Sequence, residues 1–130
     1  MANGIDHLGF AVDDLDEAAE LYGRLLGAVP VGRDELPDTD VLMLAVGESR
    51  IELVAARGPE TPVGKFLANR GPGMHHVAFA VDDVAAELAR LREAGVELVD
   101  EEPRRGAFGH TVAFVHPHST GGVLAELVSE

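Results

Sequence analysis

The chain has 130 residues, no cysteine and a formal net charge of −13. The length makes one domain, or two half-size modules sharing a core, and the acidic charge excludes nucleic acid as a general partner, since counterion release needs a basic surface. Without cysteine any metal is held by nitrogen and oxygen ligands; with no leader pattern and no apolar run near the ~20 residues that cross a bilayer, a soluble cytoplasmic protein with no membrane partner is expected.

The first predicted strand is Ile5-Asp6-His7-Leu8-Gly9-Phe10-Ala11-Val12, running into Asp13-Asp14. Strand alternation puts His7, Gly9 and Ala11 on one face and Leu8, Phe10 and Val12 on the other. Asp14 reads as a helix N-cap, with Glu17 completing a capping-box pattern. Leu15, Ala18, Ala19, Tyr22, Leu25 and Leu26 then recur at helical spacing until Gly27 stops them. Strands are expected near Ala28–Arg33, Val41–Val46 and Arg50–Ala55, the last two joined by a tight turn at Gly47-Glu48-Ser49. A linker over about 57–73 follows, with a short helical piece, Val63–Asn69, inside it.

The same pattern then starts again. Met74-His75-His76-Val77-Ala78-Phe79-Ala80-Val81-Asp82-Asp83 aligns without gaps on Ile5–Asp14, 69 positions later, with six of ten residues identical. Asp83 caps a second helix with Val84, Leu88 and Leu91 as its stripe and Gly95 as its stop. Three more strands are expected near Val96–Asp100, Phe108–Val115 and Val123–Val128. The unit is βαβββ used twice, over about 5–56 and 74–128. The fold expected is α+β: tandem modules whose sheets lie side by side and curl into a shared cup, with the helices outside.

Each repeat aims the same two residue types at that cup. His7 and His76 come from the first strand of each half. Glu52 and Glu126 stand amid aliphatic residues in the last, where a lone carboxylate is costly to bury unless paired or metal-bound. One strand histidine is more often packed than ligating, but two matched His/Glu sets make an N2O2 group. Such a group suits a divalent ion such as Co2+, Mn2+, Ni2+, Fe2+ or Zn2+, and on an octahedral ion leaves two positions for water or substrate oxygens.

With these residues the chain resembles the vicinal-oxygen-chelate superfamily and, within it, the methylmalonyl-CoA epimerase family. The likeness is carried by Pro62-Val63-Gly64-Lys65-Phe66-Leu67, by Gly73–Phe79, by Asp100–Gly106 and most specifically by His116-Pro117-His118-Ser119-Thr120-Gly121-Gly122-Val123-Leu124-Ala125-Glu126-Leu127. The resemblance implies epimerisation at C2 of an acyl-CoA, with a divalent metal, cobalt foremost, held by His7, Glu52, His76 and Glu126. It implies an enolate stabilised by Lewis-acid chelation, with Glu126 as acid/base on one face. Homodimers are usual in the superfamily.

A non-ligand glutamate serves the opposite face in well-studied members; here Met43 holds that position, with Val41, Met43 and Ala45 facing the cup by parity. Glu52 as a labile ligand, Glu48 in the turn as a weaker candidate, or a water is then the second base, unless the reaction itself differs. Ser119, Thr120, Gly121 and Gly122 are expected to form a loop over the substrate. Arg104 and Lys65, with Arg70 and Arg105, are candidates to draw CoA phosphates. His75 falls on the helix-facing side and is expected to be packed. A glyoxalase I-type lactoylglutathione lyase and a non-catalytic ligand-binding module of the same fold are the alternatives.

Overall fold

The computed structural model describes residues 1–130. Its elements are β1 (Gly4–Ala11), α1 (Leu15–Leu26), β2 (Val29–Glu35), β3 (Thr39–Val46), β4 (Ser49–Ala56), α2 (Pro62–Arg70), β5 (Gly73–Ala80), α3 (Val84–Glu93), β6 (Arg104–Arg105), β7 (Thr111–Val115) and β8 (Ala125–Ser129). They form two compact units. One holds His7–His75; the other holds His76–Glu130 together with Met1–Asp6.

In the unit His7–His75 the strands run β2-β3-β4-β1. β2, β3 and β4 are antiparallel neighbours, while β1 lies parallel to β4. Asp14 caps α1 as expected, its Oδ1 accepting the Glu17 N–H at 2.9 Å. Gly27 ends the helix with φ of 69°, a left-handed conformation that costs glycine little. The helix buries Leu15 against Leu42, Leu44, Ile51 and Leu53, with Phe10 and Tyr22 packed alongside. Leu42 and Leu44 thus face the helix, and Met43 lies on the opposite face, as alternation predicts. After β4, Thr61 caps α2 by accepting the Gly64 N–H. A Cβ on Gly64 would come within 2.2 Å of the Gly58 carbonyl oxygen, so this close approach requires glycine.

In the other unit the strands run β5-β8-β7-β6. β5 is parallel to β8, and β8, β7 and β6 alternate antiparallel. Asp83 caps α3 through the Ala86 N–H. Val84 and Leu88 of the helix pack with Ala113, Val115, Ala125 and Leu127. Met1–Asp6 belongs here because the Asn3 N–H donates to the Ala80 carbonyl at 2.7 Å and its side chain donates to Asp82.

Three strand expectations in this unit need correction. Val96–Asp100 does not form a strand; it makes one isolated bridge, Leu98 to Val115. The reason is local: the N–H groups of Val99 and Asp100 both donate to the Phe114 carbonyl, and the Asp100 carboxylate accepts the Phe114 N–H at 2.8 Å. A side chain has taken the place of a backbone carbonyl, and the ladder stops. The strand expected from Phe108 begins only at Thr111, because Phe108 and Gly109 take positive φ of 60° and 75° in a 3-10 turn. The last strand begins at Ala125, after a turn containing Gly121 and Gly122.

Glu87 of α3 is buried, yet charged. The Arg90 guanidinium donates to it at 2.9 Å and the Met1 amino group also pairs with it. Hydrogen bonds from Arg90 and from the amino terminus hold its carboxyl down to about 2, against an ordinary 4.5. A carboxyl depressed on folding stabilises the fold fully above its unfolded value, and that contribution fades as pH falls from 4.5 towards 2. Denaturant melts between pH 7 and pH 2.5 should show Glu87→Gln losing less stability on acidification than wild type. At neutral pH it should be less stable by about 1 kcal/mol or less, since the half-exposed Arg90 is screened by solvent. A variant whose acid decline matches wild type would remove Glu87 from the account. In the other core, Leu53 is fully buried, and Leu53→Ala should cost roughly 2–5 kcal/mol in the same melts.

Candidate functional site

The parallel pairing of β1 with β4 sets Glu52 beside Gly9, and that of β5 with β8 sets Glu126 beside Ala78. In each unit the histidine lies two residues before that partner, on the same face of the strand. The register is therefore the same in both units, and each glutamate is aimed diagonally at an imidazole. His7 Nε2 lies 3.6 Å from a Glu52 carboxylate oxygen. His76 Nε2 lies 3.1 Å from Glu126 Oε1. All four residues are less than 9% exposed. The partners Gly9 and Ala78 are small, so there is room beside each imidazole.

These donors fit a divalent ion. Each pair offers one imidazole nitrogen and one carboxylate oxygen, the borderline and hard donors that such ions take when no thiolate is present. Two donors bonded at about 2.1 Å to one ion stand roughly 3.0–3.4 Å apart; the His76–Glu126 separation of 3.1 Å falls in that range and the His7–Glu52 separation of 3.6 Å lies just beyond it. A buried carboxylate facing an imidazole also satisfies the requirement that buried charge be partnered.

The antiparallel neighbours of the two glutamates correspond as well. Met43 on β3 pairs with Glu52, and Phe114 on β7 pairs with Glu126. Met43 is buried, on the same face as Glu52. Phe114 stands edge-on to the His76 ring, 5.7 Å between centroids at 88°. The Arg104 guanidinium lies over the Phe114 ring at 5.4 Å and bonds to Asp100. Sequence reasoning missed Phe114 and Asp100. Strand parity was the available signal for Phe114, since Phe114 and Glu126 meet across β7 and β8.

The other candidates are more dispersed. Lys65 is exposed on α2, and Arg104 is exposed on β6 but engaged with Asp100 and Phe114. Glu48 is exposed in the β3–β4 turn; Glu52 lies four residues further along the chain, and at about 3.3 Å of rise per residue this separates the two by roughly 10 Å or more. His75 packs against α2, its ring edge-on to Phe66 at 5.0 Å. Ser119, Thr120, Gly121 and Gly122 form a turn closed on itself. In it the Thr120 hydroxyl meets the Pro117 and Val123 carbonyls, and the Gly122 N–H donates to the Pro117 carbonyl at 2.8 Å. The Ser119 hydroxyl accepts the Glu97 N–H at 2.8 Å.

No helix is long and apolar enough to cross a membrane. The family model of the glyoxalase/bleomycin resistance protein/dioxygenase superfamily matches residues 6–114. The ethylmalonyl-CoA/methylmalonyl-CoA epimerase of Cereibacter sphaeroides is 36% identical over 131 residues, covering 98% of each chain. The human mitochondrial methylmalonyl-CoA epimerase is 36% identical, over 95% of this chain and 72% of that protein. Among solved structures, the methylmalonyl-CoA epimerase of Mycobacterium tuberculosis superposes with a TM-score of 0.92 at 40% identity, covering 98% of this chain and 87% of that one. A methylmalonyl-CoA epimerase in complex with methylmalonyl-CoA and NH4+ gives 0.94 at 35% identity, over 98% and 94%. With its matched strands, its histidine–glutamate pairs and this likeness along its length, the chain belongs to the glyoxalase/bleomycin resistance protein/dioxygenase superfamily.

Proposed function

We propose that this protein is a methylmalonyl-CoA epimerase, interconverting the (R) and (S) forms at C2, and that His7, Glu52, His76 and Glu126 together hold one divalent ion, cobalt foremost. The observation that carries this reading is the pair of buried histidine–glutamate contacts built in the same register in each unit. It is supported by relatives named as epimerases of methylmalonyl-CoA that match this chain over nearly all its length.

A bound divalent ion supplies Lewis acidity to the thioester and carboxylate oxygens that flank C2, which lowers the barrier to losing the C2 proton. The protein must then move protons on two faces. Glu126 takes the proton from one face as a carboxylate. Inversion requires that a different proton arrive from the opposite face of the planar enolate. Met43, beside Glu52 on β3, has a thioether and cannot carry a proton. That work falls to Glu52, which would deliver a proton to the opposite face while Glu126 receives one, with exchange against solvent between turnovers.

The acyl-CoA is held away from the reacting carbon by the turn Ser119–Gly122, with Arg104 and Lys65 as cations for its phosphates. The chain works as a cytoplasmic homodimer in this reading, and sedimentation at enzyme-assay concentrations tests the dimer.

Single-epimer methylmalonyl-CoA incubated with the metal-loaded protein in D2O should gain deuterium at C2 and lose stereochemical purity; after chelation it should do neither. Absence of metal-dependent exchange would overturn the assignment, and turnover of a glutathione hemithioacetal in its place would favour a lyase. Glu126→Gln should lower the rate by roughly 10²–10⁴-fold. Met43→Glu adds an acid beside Glu52 and should raise epimerisation relative to exchange. An unchanged ratio would show that proton delivery on that face does not depend on this position.

A further inference from the structure

We propose that Glu97, His116 and His118 form a second metal site, open to solvent, that takes a borderline transition ion such as Zn2+, Ni2+ or Cu2+ through two imidazoles and one carboxylate. The proposal does not rest on the epimerase reading, and none of its three ligands is a residue of that site.

The three donors lie within 4.8 Å of one another. His116 Nε2 is 3.4 Å from Glu97 Oε2, and His118 Nδ1 is 3.8 Å from Glu97 Oε1. The two rings lie 4.3 Å apart between centroids, tilted at 51° to each other. This is a built arrangement. Glu97 is fastened to the histidine-bearing turn at both ends of its backbone: its N–H donates to Ser119 Oγ at 2.8 Å, and its carbonyl accepts the His116 N–H at 3.1 Å. Pro117 fixes the backbone between the histidines. The carboxylate and both imidazoles are therefore held on one short frame before any ion arrives. Two imidazoles with one carboxylate select the Zn2+, Ni2+ and Cu2+ group over Mg2+ and Ca2+, which require mostly oxygen.

The turn also sets a consequence of loading. The His118 backbone N–H donates to His116 Nδ1 at 3.1 Å, which assigns the proton of a neutral His116 ring to Nε2. Coordination through Nε2 moves that proton to Nδ1, where it would face the His118 N–H donor. The hydrogen bond must break, so ion binding resets the 3-10 turn Pro117–Ser119 that leads directly into Thr120–Gly122. Occupancy of this surface site is thereby coupled to the turn before β8, the strand that carries Glu126.

Metal-stripped full-length protein should be titrated with Ni2+ alone and followed by amide NMR. Broadening should saturate at Glu97, His116, His118 and Ser119. Zn2+ in place of Ni2+ should move the His118 amide resonance upfield as its hydrogen bond is lost. The His118 side chain is 79% exposed, so His118→Ala retains the fold, which the rest of the spectrum checks, and should weaken this binding by about tenfold or more. Glu97→Gln should weaken it as well while still accepting a hydrogen bond from His116. Signals at these amides that ignore a tenfold excess of Ni2+, or an affinity unchanged in His118→Ala, would overturn the proposal. Either result would leave exchange activity where it was, so the two readings fail separately.

Discussion

A carboxylate buried in an apolar strand is the constraint on which the rest of this structure depends. Glu52 sits between Ile51 and Leu53, and Glu126 between Ala125 and Leu127, where an ionised group without a partner would be prohibitively costly. Parallel pairing with β1 and β5 solves the problem in each unit by bringing an imidazole to the carboxylate. The capped helices and the aliphatic faces of Leu42, Leu44 and Leu53 in one unit, and of Ala113, Val115 and Leu127 in the other, hold those strands in register. A slip of one residue would turn the glutamate into the helix-facing core. Stability and site geometry are therefore linked through the same strands.

Much of this was legible in the sequence because the repeat begins without gaps. His7 and His76, the strand parity and both aspartate caps follow from two ten-residue stretches at a constant offset of 69. The offset then drifts, to 71 between Met43 and Phe114 and to 74 between Glu52 and Glu126, since turns of different length intervene. Period-two alternation recovers the glutamates but gives no reason to compare Met43 with Phe114. The segment 96–100 was illegible for another reason. Val96, Leu98 and Val99 suit a strand, but the Asp100 side chain captures the N–H that a longer ladder would use, and propensity does not register a side chain competing with backbone. Phe108, at positive φ, breaks the expected strand where no residue preference announces it.

Similarity of register does not make the two half-sites equal. His76 is braced: Phe114 stands edge-on to it, Arg104 lies over Phe114, and Asp100 ties Arg104 to the backbone of β7. In the other unit the neighbour at the matching position is a methionine, unbranched and adaptable, and the nitrogen–oxygen separation is longer, 3.6 Å against 3.1 Å.

That asymmetry bears on how the proposed epimerisation divides its labour. A glutamate that also delivers a proton needs freedom to change its bonding during turnover, whereas one that fixes the substrate's orientation is better held still. A dedicated acid at the Met43 position would relieve Glu52 of the first task; a methionine there leaves the task in place and surrounds it with a side chain that yields. The braced pair then suits orientation together with proton removal at a fixed point, and the looser pair suits return of the proton from the opposite face. In the proposed cycle a methionine at this position leaves the return of the proton to the buried carboxylate paired with it across the strands, Glu52.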